Sequence, residues 1–158
     1  MESSQIIDGK THTIDFEKDI LPFANESFDT VICANVLEHI YNHKLLVSSI
    51  FNVIKTGGQL VGFVPFLIQY HPDTWDYFRY TKEALQRIFN EAGFTRVDII
   101  IVGGGPIATN FNNSMFMLPR IVRPIFFVFY YMLSKITLSL KPELKNRYPL
   151  GFTFICKK

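Results

Sequence analysis

The stretch Ser27-Phe28-Asp29-Thr30-Val31-Ile32-Cys33-Ala34-Asn35-Val36-Leu37-Glu38-His39-Ile40 decides the reading of this chain. Its first half is a short apolar run, which predicts a buried strand over Phe28–Ala34. Its second half turns polar at Asn35 and then helical. Helical character is expected roughly from Val36 to Lys55, where Leu46, Ile50 and Val53 make an apolar face and Gly57-Gly58 stops it.

Upstream, His12–Phe16 is short and extended. Asp19-Ile20-Leu21-Pro22-Phe23 follows and enters a turn at Asn25-Glu26-Ser27. Downstream, Gln59–Pro65 is a second buried strand, followed by a polar, aromatic loop to Tyr80. Thr81 suits an N-cap and Glu83 the first turn of a helix, with Leu85, Ile88, Phe89 and Ala92 at helical spacing and Gly93 at its end. Thr95–Val102 is a third strand, Gly103 to Ser114 is loop-like, and Pro149–Cys156 is a final strand. Strands alternating with helices predict an α/β fold with a mostly parallel sheet.

The 158 residues are enough for a single domain with a real core. At 48% hydrophobic and 15% aromatic, with sixteen Phe, the chain is too apolar for disorder. The net charge of +2 says little, but its distribution says more. Met1 to Asp98 holds thirteen acids against eight Lys/Arg, while Ile99 to Lys158 holds Glu143 alone against eight Lys/Arg. A basic C-terminal part suggests an anionic partner, with membrane surface and nucleic acid the usual candidates. Cys33 and Cys156 lack metal-ligand spacing and read as buried thiols of a reducing compartment. The polar start, Met1 to Lys10, shows no signal peptide, so a cytoplasmic location is expected.

Four elements stand in a telling order: Asp19-Ile20-Leu21-Pro22-Phe23, Ser27-Phe28-Asp29-Thr30-Val31, Val36-Leu37-Glu38-His39-Ile40, and Lys55-Thr56-Gly57-Gly58. Tyr80-Thr81-Lys82-Glu83-Ala84-Leu85 and Glu91-Ala92-Gly93-Phe94 come after them. Over roughly Thr11 to Ile101 this set resembles the class I S-adenosylmethionine-dependent methyltransferases. The resemblance implies a partial Rossmann-like sheet, mostly parallel with an antiparallel C-terminal strand. It implies S-adenosylmethionine as cofactor, with the Asp19 carboxylate on the adenine, Ile20 on the adenine face, and Ala34 and Asn35 along the methionine part.

Each residue also has a plain structural reading. Asp19 suits a turn cap and Asn35 a helix N-cap. His39 suits either a general base, given its near-neutral pKa, or a packed helix start. Some relatives bind a metal through Glu-x-x-Glu-His. Here Asn35 holds the first position, so no metal is expected. The loop after the second strand offers His71, Asp73, Asp76, Tyr77, Arg79 and Tyr80. Aromatic groups among polar ones suit a sugar or other polyhydroxyl acceptor, and equally a surface loop with an aromatic anchor.

The resemblance also marks what this chain lacks. The family's glycine-rich turn and ribose-binding acid should come before Asp19, and Asp8-Gly9 alone cannot supply them. The strand Phe28–Ala34 should therefore carry a bare edge, covered by a homo-oligomer, a partner chain, a rearranged N-terminus or a missing piece. The expectation is one N-terminally incomplete domain over 1–158, a fragment or a remnant. Gly103-Gly104-Gly105-Pro106-Ile107-Ala108 after a strand imitates a dinucleotide fingerprint. No acid lies between Asp98 and Glu143 to hold a ribose, so a plain glycine loop is the better reading.

Met115 to Leu140 is apolar and broken by Pro119 and Pro124. Arg120 and Arg123 precede its core, and Lys135, Lys141, Lys145 and Arg147 follow. Pro124–Leu133 is too short to span a bilayer, so it is either buried or interfacial. Methyltransferases of cell-surface polysaccharide pathways carry a comparable insertion, here 112–147, and often use lipid-linked acceptors. The resemblance therefore implies methyl transfer to an oxygen or nitrogen of a small or lipid-linked acceptor, peripheral to the inner membrane face, with no nucleic acid. The rival expectation is a non-catalytic remnant that binds a partner or a membrane.

Overall fold

The computed structural model describes residues 2–7 and 10–158, with side chains from Ile14 onward. The strands β1 (Glu2–Ile7) and β2 (Lys10–Asp15) pair as an antiparallel hairpin. The main sheet holds β3 (Phe28–Ala34), β4 (Ile54–Pro65), β5 (Arg96–Val102) and β6 (Gly151–Lys157) in the order β3-β4-β6-β5. β3 and β4 are parallel, and β6 runs antiparallel to β4 and β5. Three of the four strands thus share one direction. The antiparallel last strand matches the sequence reading.

Helices α1 (His43–Val53) and α2 (Lys82–Ala92) pack together, α1 against β4 and α2 against β5. Leu46, Val47 and Ile50 of α1 and Leu85 and Phe89 of α2 bury against Leu60, Val64, Phe152, Phe154 and Cys156. The caps of α2 are those the sequence predicts. Thr81 Oγ accepts from the Ala84 N–H at 3.2 Å, and Gly93 closes the helix at φ +108°. At α1 the C-terminal Lys158 supplies the stop, its ammonium donating to the carbonyls of Phe51 (2.9 Å) and Ile54 (2.7 Å). Gly62 is required by close approach, since a Cβ there would run into the Cys33 carbonyl across the parallel pair.

Four expectations are corrected. Phe28–Ala34 has the predicted bounds but is not a buried strand. It lies at the edge of the main sheet, with Cys33 buried and Ile32 78% exposed, because among the described residues no strand pairs with its edge away from β4. The helix expected over Val36–Lys55 divides into a 3-10 turn (Leu37–His39) and α1, and the chain is already extended at Ile54. Gly57-Gly58 therefore falls inside β4, beside a register shift opposite Phe28–Thr30. Gly103–Ser114 is not a loop, because α3 (Pro106–Ser114) starts with Pro at its first turn. Its Phe111 ring sits 5.1 Å from Tyr130 and 5.9 Å from Phe127, and this packing outweighs the weak helix propensity of its Asn and Thr residues.

Tyr130 and Phe127 belong to α4 (Arg123–Leu140), which is followed by the short α5 (Leu144–Arg147). α3, α4 and α5 all lie between β5 and β6. No residue of α4 is buried, and Phe126, Phe127, Val128, Phe129 and Tyr131 are exposed. In this chain the segment is exposed rather than packed on the sheet. Among the described residues, no helix is long and apolar enough to cross a membrane. Cys33 and Cys156 are buried free thiols, each pushed up to about 12, chiefly by burial.

Candidate functional site at the C-terminal end of the parallel strands

Parallel strands in an open α/β sheet present ligands at their C-terminal ends. β3 ends at Ala34, and Asn35 follows in the left-handed region at φ +53°, its N–H donating to Phe63 O at 3.0 Å. That turn aims the next residues across the strand end. The 3-10 turn then places Leu37, Glu38 and His39 inside the protein.

The loop after β4 folds onto this turn. The N–H groups of Tyr77 and Phe78 donate to Glu38 O at 2.8 and 3.3 Å, and Tyr80 Oη donates to Leu37 O at 3.1 Å. His39 Nδ1 faces Trp75 O at 2.5 Å, so this nitrogen is the one that donates to the carbonyl. Asp76 and Arg79 fasten the loop from within. Arg79 Nη2 donates to Asp76 Oδ2 at 2.6 Å, Nη1 bonds Asp76 Oδ1, and Arg79 also reaches Phe78 O and Gln69 O. The Arg79 hydrogen bonds hold Asp76 down at about 2 despite its burial. The His71 N–H donates to Asp76 Oδ2 at 3.0 Å.

The expected acceptor residues thus divide. Tyr77 is exposed and stacks with Trp75 at 6.3 Å, with Tyr41 edge-on at 5.4 Å. Asp76, Arg79 and Tyr80 spend their polar atoms inside the loop. Tyr80 is buried, and its hydroxyl is pushed up by burial. His71 is 31% exposed and turns its Nε2 toward Glu38 Oε1 at 3.7 Å. His39 Nε2 approaches the same oxygen at 3.8 Å.

The sequence set Glu38 beside His39 in a metal-type motif but assigned it no site role. It is 0% exposed, and neither carboxylate oxygen has a hydrogen-bond partner among the described residues. Burial pushes its carboxyl above the ordinary range. The signal was present in outline: an acid in the otherwise apolar turn Val36-Leu37-x-x-Ile40.

The expected cofactor residues stand in two places, Asp19 and Ile20 just after β2 and Ala34 and Asn35 at the end of β3. Asp19 Oδ2 accepts from the Asp15 N–H at 2.9 Å, closing the turn that leads out of β2. Ile20 is exposed beside it, in an open cleft lined by Ile14, Lys18, Asp19, Leu21 and Phe23. Ala34 and Asn35 are exposed at the end of β3. The glycine triplet that imitates a dinucleotide fingerprint does stand between a strand and a helix. Its space is taken by this chain, because Cβ atoms there would meet Leu150, the Lys145 carbonyl and Leu138.

Residues 4–62 match a family model described as a methyltransferase domain. The chain is similar in fold to a SAM-dependent methyltransferase from Archaeoglobus fulgidus (TM-score 0.51, 15% identity, 85% of this chain and 61% of that one). It is similar to phosphoethanolamine N-methyltransferase 2 of Haemonchus contortus, solved with S-adenosyl-L-methionine (TM-score 0.52, 16% identity, 86% and 34%). This chain has the methyltransferase fold. The [4+2]-cyclase SpnF is also similar (TM-score 0.52, 16% identity, 91% and 55%), so the fold hosts more than one chemistry. The chain spans less than two thirds of the length of each of these relatives. No relative among curated proteins matches.

Proposed function

We propose that this chain belongs to an S-adenosylmethionine-dependent methyltransferase that transfers a methyl group to an oxygen or nitrogen of a small or lipid-linked acceptor. One observation carries the reading. The segment that matches the methyltransferase domain, 4–62, holds Asp19, Ile20, Ala34, Asn35 and His39, and Ala34 and Asn35 stand at the end of β3, where such folds take ligands. In this reading the Asp19 carboxylate accepts from the adenine amine, Ile20 covers the ring, and the exposed backbone at Ala34 and Asn35 borders the methionine part.

The donor carries its own activation as a sulfonium, so the protein's task is in-line placement and removal of the acceptor proton. His39 is 5% exposed and held at Nδ1 by Trp75 O, which favours a positioning role over proton removal. The exposed Trp75–Tyr77 stack is a platform for an acceptor with a flat apolar face, such as a sugar ring. The apolar, exposed α4 favours a peripheral membrane contact that would bring a lipid-linked acceptor near. The bare edge of β3 favours coverage by a second chain or by further methyltransferase sequence.

The rival reading is a non-catalytic subunit. Calorimetry with S-adenosylmethionine separates the two, using the wild-type chain, Asp19→Ala and His39→Ala. The expected result is weak but measurable binding that Asp19→Ala lowers more than His39→Ala does. No binding at any concentration, or equal loss in both variants, contradicts the proposed site.

A further inference from the structure

We propose that Glu38, His39 and His71 form a binding site for one divalent transition-metal ion of the zinc or cobalt type. This goes beyond the methyl-transfer reading and does not rest on it. The pattern around Asn35 argued against a metal from sequence, but the third donor comes from elsewhere. His71 arrives from the loop after β4, 32 residues beyond His39, and its ring stands edge-on to that of His39 at 5.3 Å.

The chemistry of the three groups converges on a cation. One ligand atom from each lies within 4.8 Å of the others. The His39 Nδ1 proton is committed to Trp75 O, and Nε2 is the ring nitrogen that faces Glu38, at 3.8 Å. His71 Nδ1 has Gln69 O at 3.2 Å, Asp76 Oδ2 at 3.5 Å and Arg79 Nη2 at 3.2 Å around it, and its Nε2 is the ring nitrogen that faces Glu38. Carbonyl or carboxylate partners on the far ring nitrogen are the usual support of metal-bound histidines. Three potential ligand atoms thus face one another, with Glu38 and His39 buried and His71 part-exposed, and both Glu38 oxygens lack a hydrogen-bond partner among the described residues.

Distance separates a metal from a shared proton. The gaps of 3.7 and 3.8 Å between the His Nε2 atoms and Glu38 Oε1 are too long for hydrogen bonds. They approach the spacing of about 3.4 Å between donors of a tetrahedral ion with bonds of about 2.1 Å. Two imidazoles and one carboxylate are a donor set that suits zinc and similar ions and leaves a coordination position open. His71, the most exposed of the three, provides the side of entry.

The test uses the untagged chain, stripped with chelator and loaded with Zn²⁺ or Co²⁺ alone. One equivalent should survive desalting, and Co²⁺ should give visible absorption and quench Trp75, the only tryptophan. Glu38→Gln and His71→Ala should each weaken retention at least tenfold. His71→Ala alters a part-exposed side chain, so it carries the test even if the buried Glu38→Gln fails to fold. Failure of the wild type to retain metal would overturn the proposal. So would Zn²⁺ retention or Trp75 quenching unchanged in His71→Ala. No methyl donor is present in these measurements, so their failure leaves the methyl-transfer reading standing, and the reverse also holds.

Discussion

Tyr80 Oη donates to the Leu37 carbonyl at 3.1 Å, a buried side-chain bond that joins the Tyr77, Phe78 and His39 bonds in tying the loop after β4 to the turn that carries Glu38 and His39. The two residues are 43 positions apart. The site exists because this loop is folded back onto the strand end.

Tyr80→Phe keeps the ring in the core and removes the donor. The Leu37 carbonyl is then buried without this partner, which should cost about 1–2 kcal/mol. Thermal unfolding should show a midpoint several degrees lower, with the native circular dichroism retained. An unchanged midpoint would mean that the loop is held without this bond.

Arg79→Ala should be more damaging. It strands the Asp76 carboxylate, whose side chain is only 1% exposed, with no cation. Complete burial of such a pair would make the loss about 3–5 kcal/mol, and partial exposure of Arg79 reduces it to about 2–3 kcal/mol. Asp76→Asn combined with Arg79→Ala should recover part of that loss, because no unpaired charge remains. Denaturant unfolding of the two variants measures the difference, and equal losses would show that the pair is not what holds the loop.

The fold was legible where local chemistry speaks. The bounds of β3, the Thr81 cap and the Gly93 stop follow from apolar runs and capping residues. Exposure was not legible. Val31-Ile32-Cys33 reads as buried on both faces, but alternate residues of a strand face opposite ways, and here Cys33 is buried while Ile32 is exposed. α3 was hidden because its stability comes from Phe111 packing on α4, a contact that propensity does not encode. The cluster of Glu38, His39 and His71 was hidden for a similar reason. Glu38 and His39 were visible as a pair, but His71 joins them only through the Asp76–Arg79 fastening of the loop.

α4 should bind anionic membranes. Phe126, Phe127 and Phe129 are exposed, and Arg120, Arg123 and Lys135 lie beside them. Apolar insertion and attraction to anionic headgroups should act together. Vesicle cosedimentation is expected to show binding to anionic lipid that weakens in high salt and in a Phe126→Ser, Phe129→Ser variant. Equal binding to neutral vesicles would remove the electrostatic part, and no binding would leave the surface to a protein partner.

The central claim is that the C-terminal end of β3 and the turn at Asp19 receive the cofactor, and amide NMR during titration with S-adenosylhomocysteine tests it most directly. The account predicts weak, saturable binding, because this chain holds no glycine-rich turn before Asp19. It predicts shifts concentrated at Asp19–Leu21 and Cys33–Val36. Saturable shifts confined to other elements, or none at all near the solubility limit of the ligand, would contradict it.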